Sequence, residues 1–260
     1  MQALVAGQVE FCATGHGQVA NMYAKGKSTK IVNLMQDKCT FYLIGRPEIL
    51  DIAALKGKMI GCTQIGAETY AVGRLLAKKA GLDPDKDVTL VPVSGMATMV
   101  SALENNRVQA VMAWQPVTLK LVGERKGVIL AQLNTSADSA RHFGSPSYSF
   151  SVLQVTDEFI KQQPHTVQKF VKALVEAEKW IGSHTDEEIA KVVTPYFSGM
   201  AQNVVASSVG MDREAFSSTG IVPEQGHETA VKIFMDAGVI AKPVPFDAIV
   251  DNSFSKNANQ

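Results

Sequence analysis

Apolar and polar positions along this chain keep switching between two periods. Lys58-Met59-Ile60-Gly61-Cys62 is a short, mostly apolar run that ends in Thr63-Gln64-Ile65-Gly66-Ala67-Glu68-Thr69-Tyr70. Helical spacing follows from Arg74 to Ala80, and Gly81 is a natural stop. The pattern recurs as Val88 to Ser94 followed by Met96 to Asn105, and a further β-type run, Val108 to Trp114, ends at Gln115-Pro116. This predicts parallel strands joined by helical crossovers. Strand ends in an open parallel sheet share one rim, where small ligands bind. The rim shows no evident catalytic set, so it reads as a place to hold a molecule.

The flanking segments add a second α/β unit. Residues 2–6 read as the end of a helix stopped by Gly7, then Val9 to Ala13 as a strand, Thr14-Gly15-His16-Gly17 as a turn, Gln18 to Lys25 as a helix and Lys30 to Gln36 as a strand. A helix end with no strand before it suggests that a strand–helix unit precedes the chain. Residues 39–46 and 148–155 are β-rich, Gly127 to Ala131 is a short strand, and the polar stretch Asn134 to Pro146 reads as a connector. Beyond Asp157 the pattern turns helical. An amphipathic helix from Pro164 to Trp180 is expected to place Phe170, Leu174 and Trp180 in the core. Helices follow at 186–193, 202–209 and 228–237, and the tail from Asp251 is expected to fray. The β-rich segments bracket a compact block. The expected fold is therefore α/β with two lobes, each a sheet flanked by helices, joined by a two-crossing hinge over a cleft. Lobe I takes residues 1–44 and 146–260, and lobe II takes 45–145.

Composition narrows the class. The 260 residues carry a formal net charge of +0 with 46% hydrophobic and 19% charged positions, a globular balance with no basic face for nucleic acid. No apolar stretch reaches the length of a membrane span. Cys12, Cys39 and Cys62 are too scattered for a metal or redox pair and read as free, mostly buried thiols. No metal or cofactor is expected. Met1 is followed by Gln2-Ala3-Leu4-Val5 without the basic start and apolar core of a secretory signal. Either the protein is cytoplasmic or the true beginning lies upstream, and the unpaired first helix favours the second.

Ala3-Leu4-Val5-Ala6-Gly7-Gln8-Val9-Glu10-Phe11 resembles the AL-x-x-G-q-v-D-f segment, and Leu55-Lys56-Gly57-Lys58-Met59-Ile60-Gly61 the LKGKkIG segment, of the nitrate/sulfonate/taurine (NMT1/SsuA-like) substrate-binding proteins of ABC importers. Gly81 to Val88 resembles GLdPdkDV, Ala102-Leu103 with Val108-Gln109-Ala110 parallels aL-x-x-g-x-vDA, and Trp114-Gln115-Pro116 parallels W-e-P. The departures are Ala67-Glu68 where Ser or Thr is common, Gln115 for Glu, and Glu10 and Gln109 for Asp. The resemblance implies a two-lobed type II periplasmic-binding-protein fold lacking its signal peptide, first strand and first helix. It also implies a periplasmic or lipid-anchored extracytoplasmic location, a monomer, a small-molecule solute, and an ABC permease and ATPase as partners.

Candidate ligand contacts lie where strands end and helices begin. Gln64, Gly66, Ala67, Glu68 and Thr69 form one such turn, with free amides and a positive helix end. The bland reading is an ordinary N-cap. Thr14, Gly15 and His16 form the matching turn of the other lobe, or merely a surface turn. Trp114 and Gln115 end the third strand, where Trp offers a flat wall or packs in the core. Tyr148, and less strongly Tyr42 and Gln36, lie at the crossings and strand ends. The residues allow an oxyanion, a sulfonate, an aromatic acid or a nitrogen heterocycle as ligand, and the lack of an Arg at either rim, together with Glu68 if it faces the cleft, tilts the reading toward a neutral or zwitterionic organic molecule against Trp114. The rival readings are an enzyme on the same fold, resembling thiamine-pyrimidine synthases or Cys-dependent desulfinases and using Cys12 near His16, and a ligand sensor.

Overall fold

The computed structural model describes residues 2–197 and 199–260. Gln2–Val5 makes one helical turn, α1, closed by Gly7 at φ +67°. β1 (Phe11–Gly15) runs past Ala13, and α2 (His16–Ala24) starts at once with Gly15 as N-cap. The expected turn at Thr14–Gly17 is thus a direct strand-to-helix join. β2 (Thr29–Gln36), β3 (Tyr42–Gly45), β4 (Lys58–Cys62), α3 (Glu68–Lys79), β5 (Val88–Pro92), α4 (Met96–Glu104) and β6 (Ala110–Ala113) follow. Next come α5 (Val117–Gly123), β7 (Val128–Gln132), α6 (Ser136–Phe143) and β8 (Ser151–Thr156).

Two sheets result. One has the order β5-β4-β6-β3-β7, with β4 parallel to β5 and β6, as the repeated strand–helix pattern predicts, and β3 antiparallel to β6 and β7. The other is β1-β8-β2, both pairings antiparallel. Tyr42 pairs with Ala113 and Gln132, so the lobe boundary expected at 44/45 falls inside a strand of the five-stranded sheet. The physical reason is that both faces of β3 are apolar. Leu43 joins one buried cluster while Tyr42 and Ile44 join another, which requires helices on each side.

The central strand β8 is likewise covered twice. Val152 faces the α2 side and Leu153 and Val155 face α8 (Pro164–Ser183), so the segment reads as a continuous buried run. Buried Gln154 donates from Nε2 to Thr29 Oγ1 at 2.6 Å. α8 buries Val167, Val171 and Val175, spaced by one turn each. Phe170 and Trp180 lie outside that stripe and are not core. Phe170 is 41% exposed and stacks on Phe11, and half-buried Trp180 stacks on His184.

Two other expectations are corrected. The connector at 134–146 holds α6, whose Thr135 N-cap hydroxyl accepts from the Asp138 N–H and which ends at left-handed Gly144. Its Ser/Asp-rich start is an N-cap signature, not a loop. The tail does not fray. α13 (Ser253–Ala258) buries Phe254 and Ser255, and Ser255 Oγ donates to Val32 O at 3.0 Å. The remaining helices are α7 (Asp157–Gln162), α9 (Asp186–Val193), α10 (Gln202–Asp212), α11 (Glu224–Asp236) and α12 (Phe246–Ile249), with α11 starting earlier than expected. Cys39 and Cys62 are buried, whereas Cys12 is half-exposed on β1.

Candidate ligand cleft

Where the two sheets meet, a cleft of about 500 Å³ opens. Gly15, Gln18 and Ser151 come from the three-stranded side, Thr63, Glu68, Thr69 and Trp114 from the five-stranded side, and Thr40, Phe41 and Phe150 from the segments that cross between them. This volume suits a small organic molecule. The aromatic walls are ordered against one another. Phe41 packs edge-on to Phe150 with centroids 4.8 Å apart and lies 6.1 Å from the Trp114 ring. The polar groups converge because β4 and β6 end here and α3 begins here. Thr63 and Thr69 tie strand end to helix start, with the Thr63 amide donating to Thr69 Oγ1 at 2.9 Å and the two hydroxyls 2.6 Å apart.

Glu68 is the first residue of α3, and its side chain crosses to the other side. It is buried, receives the Tyr148 hydroxyl proton donor on Oε1, and leaves Oε2 without a partner. Burial pushes its pKa up to about 7 against the lowering effect of Tyr148 and the Gly17 and Gln18 amides at the start of α2. Those amides face the carboxylate and favour its charged form. Gly15 makes this approach possible, since a Cβ there would stand 2.2 Å from Glu68 Oε2.

Of the residues expected from sequence, Gly15, Glu68, Thr69 and Trp114 line the cleft. Tyr148 is wholly buried and acts behind the wall, on Glu68. Thr14 bonds Gln18 Oε1 at 3.1 Å and is not part of the lining. Gln64 is exposed, Gly66 (φ +78°) and Ala67 shape the loop before α3, and none of the three lines the cleft. Gln115 turns away to Met211 and lines a separate apolar cavity. Tyr42 donates to Asp212 at 2.9 Å and accepts from Asn134, bracing one crossing. Gln36 holds the Phe150 amide through its backbone oxygen at 2.9 Å.

His16 is corrected most clearly. It is wholly buried, with Nε2 2.9 Å from His227 Nδ1. His227 Nε2 donates to Val244 O at 2.8 Å, so its Nδ1 accepts and His16 Nε2–H donates. Burial, then the neighbouring His227, hold the His16 pKa well below its usual value, and burial lowers that of His227. Because β1 extends to Gly15, the next side chain turns inward beneath α11, away from the cleft. Gln18, Thr40, Phe41, Thr63, Phe150 and Ser151 were not foreseen. The two aromatic residues adjoin β3 and β8 in non-periodic segments, where only their proximity to the predicted crossings gave a signal.

A larger apolar groove of about 780 Å³ runs between α4, α5 and α10. Its charged residues are already paired, Lys120 with Glu124 at 2.5 Å and Glu104 with Lys126 at 2.8 Å, so they are not left converging on the groove. Among the described residues no group of three or more potential metal ligands gathers, and no helix is long and apolar enough to cross a membrane.

The comparisons with known proteins agree with this architecture. A protein of Bordetella bronchiseptica RB50 aligns with a TM-score of 0.87 and 27% identity over 99% of this chain and 82% of its own. The ligand-binding component of an ABC-type import system from Staphylococcus aureus, solved with zinc bound, aligns at 0.80 with 18% identity over 99% and 84%. The alkanesulfonate-binding protein SsuA of Xanthomonas axonopodis pv. citri, bound to MOPS, aligns at 0.77 with 17% identity over 97% and 83%. The same fold carries catalysis elsewhere, as the desulfurization enzyme DSZB aligns at 0.62 with 16% identity over 96% and 84%. The periplasmic-binding-protein fold is therefore shared, and the family model described as NMT1/THI5 like matches residues 1–188, so this chain belongs to the NMT1/THI5-like family.

Proposed function

We propose that this protein captures a small organic solute in the cleft between its two sheets and delivers it to the permease and ATPase of an ABC importer, from an extracytoplasmic location. The observation that carries the reading is the cleft lining itself, drawn from both sheets and from the segments between them. A solute held there touches both sides only when they are together, so binding favours the closed arrangement. In this reading each sheet with its helices is a lobe. The crossings lie between β2 and β3 and between β7 and β8, with Tyr42, Asn134 and Asp212 bracing them. The Staphylococcus and Xanthomonas relatives support transport over other uses of the fold. A thiol-enzyme reading gains no support, because Cys12 is absent from the cleft lining and the His16 ring is engaged by His227.

A thermal-shift panel of nitrate, bicarbonate, alkyl sulfonates, taurine, aromatic acids, amines and pyrimidines tests the proposal. A solute bound at one hundred times its Kd stabilises the fold by about 2.7 kcal/mol. At least one class is expected to raise the melting temperature, with the shift lost in Trp114→Ala. A cooperatively melting protein that responds to nothing in the panel would count against it.

A further inference from the structure

We propose that Glu68 sets the specificity of the cleft: it occupies the amide end of α2 as a built-in anion, so the cleft turns away free anions and receives a solute that presents an ammonium- or amidinium-type N–H donor. This rests on the solute-capture reading above and names the class of solute.

Three observations converge. Among the described residues Glu68 is the only ionisable one in the cleft lining, and it is 3% exposed. Its carboxylate comes from α3 yet abuts Gly15 and faces the Gly17 and Gln18 amides of α2. The first turn of a helix of this length carries the positive end of its dipole, which Glu68 already answers. Lastly, Oε2 is buried and unpartnered while Oε1 is held by Tyr148. A buried acceptor left bare is costly, and a donor supplied by the solute removes that cost. The surrounding wall suits the same chemistry, since Phe41, Trp114 and Phe150 present rings, and a delocalised cation is attracted to ring faces. Among the described residues no Lys, Arg or His lines the cleft to compensate a bound sulfonate or carboxylate.

The geometry implies an inversion. With Glu68 shortened to Ala, the Gly17 and Gln18 amides and the Tyr148 hydroxyl are left as donors facing an empty space of carboxylate size. Glu68→Gln keeps the shape but removes the charge.

Benzamidinium and benzenesulfonate, which share a ring and differ in charge, are titrated calorimetrically into wild type, Glu68→Gln and Glu68→Ala at a pH where Glu68 is ionised. Wild type is expected to bind benzamidinium at least about tenfold more tightly than benzenesulfonate, a gap of about 1.4 kcal/mol. The preference should collapse in Glu68→Gln and reverse in Glu68→Ala. A wild type that prefers benzenesulfonate, or a preference unchanged in Glu68→Gln, overturns the inference. If neither probe binds while another solute shifts the melting temperature in a Trp114-dependent way, the inference fails and solute capture stands. If no solute binds at all, the capture reading itself fails.

Discussion

Glu68 ties binding chemistry to stability. Its folded pKa is raised to about 7 from an ordinary value of 4.5, chiefly by burial. The folded state therefore binds more protons than the unfolded one. The stability this group supplies is complete below its unfolded pKa and is lost as pH rises through its folded pKa, by roughly 3 kcal/mol over the window. Denaturation midpoints of wild type should fall more steeply than those of Glu68→Gln between about pH 5 and pH 8. Parallel curves would contradict the assignment. The His16–His227 pair acts with the opposite sign. Both are held below the usual 6.5, so their contribution is present above that value and is lost as pH falls below it. Replacing both by Leu should flatten the acid limb, read from the same midpoints. Glu68 and Trp114 were legible in the sequence because each sits where a strand pattern ends. His16 was misplaced because the join between β1 and α2 has no intervening turn, and that single change of register redirected its side chain.

At the level of elements, the packing of α2 on α11 fixes the cleft wall. Gly17 lies on α2 where a Cβ would come within 2.1 Å of the Phe234 ring, so the two helices approach as closely as a glycine allows. Gly17→Ala is expected to destabilise by about 1–3 kcal/mol through overpacking. It should also weaken solute binding, because α2 must shift with its amides. Chemical denaturation and calorimetry on the same sample check both. A neutral effect would show that the helices part freely. The repeated strand–helix units were legible because the change from a short apolar run to helical spacing is periodic. α6 and α13 were not, since a short helix with a polar cap has the composition of a loop, and the burial of Phe254 is decided by residues distant in the chain.

For the whole molecule, one apolar cluster runs from Val72, Leu75 and Leu76 of α3 to Val231 and Phe234 of α11, so the two sides share a core beside the cleft. Opening that contact exposes apolar surface at about 25 cal/mol per Å². The motion that admits solute is therefore expected to pivot on α3 and α11 and to open on the Trp114 side. Solution scattering should then show a change of less than about 1 Å in a radius of gyration near about 18 Å when solute binds. A larger contraction would mean that the shared core separates. A two-lobed plan was legible from the bracketing β-rich segments. The exact crossing was not, because β3 is apolar on both faces and its sheet is chosen by partners remote in sequence. The most direct test of the account is the crystal structure of the protein grown with the most stabilising solute of the panel. Density is expected in the cleft, touching Trp114 on one side and Gly15 or Ser151 on the other. Density confined to the apolar groove between α4, α5 and α10, with the cleft empty, would contradict it.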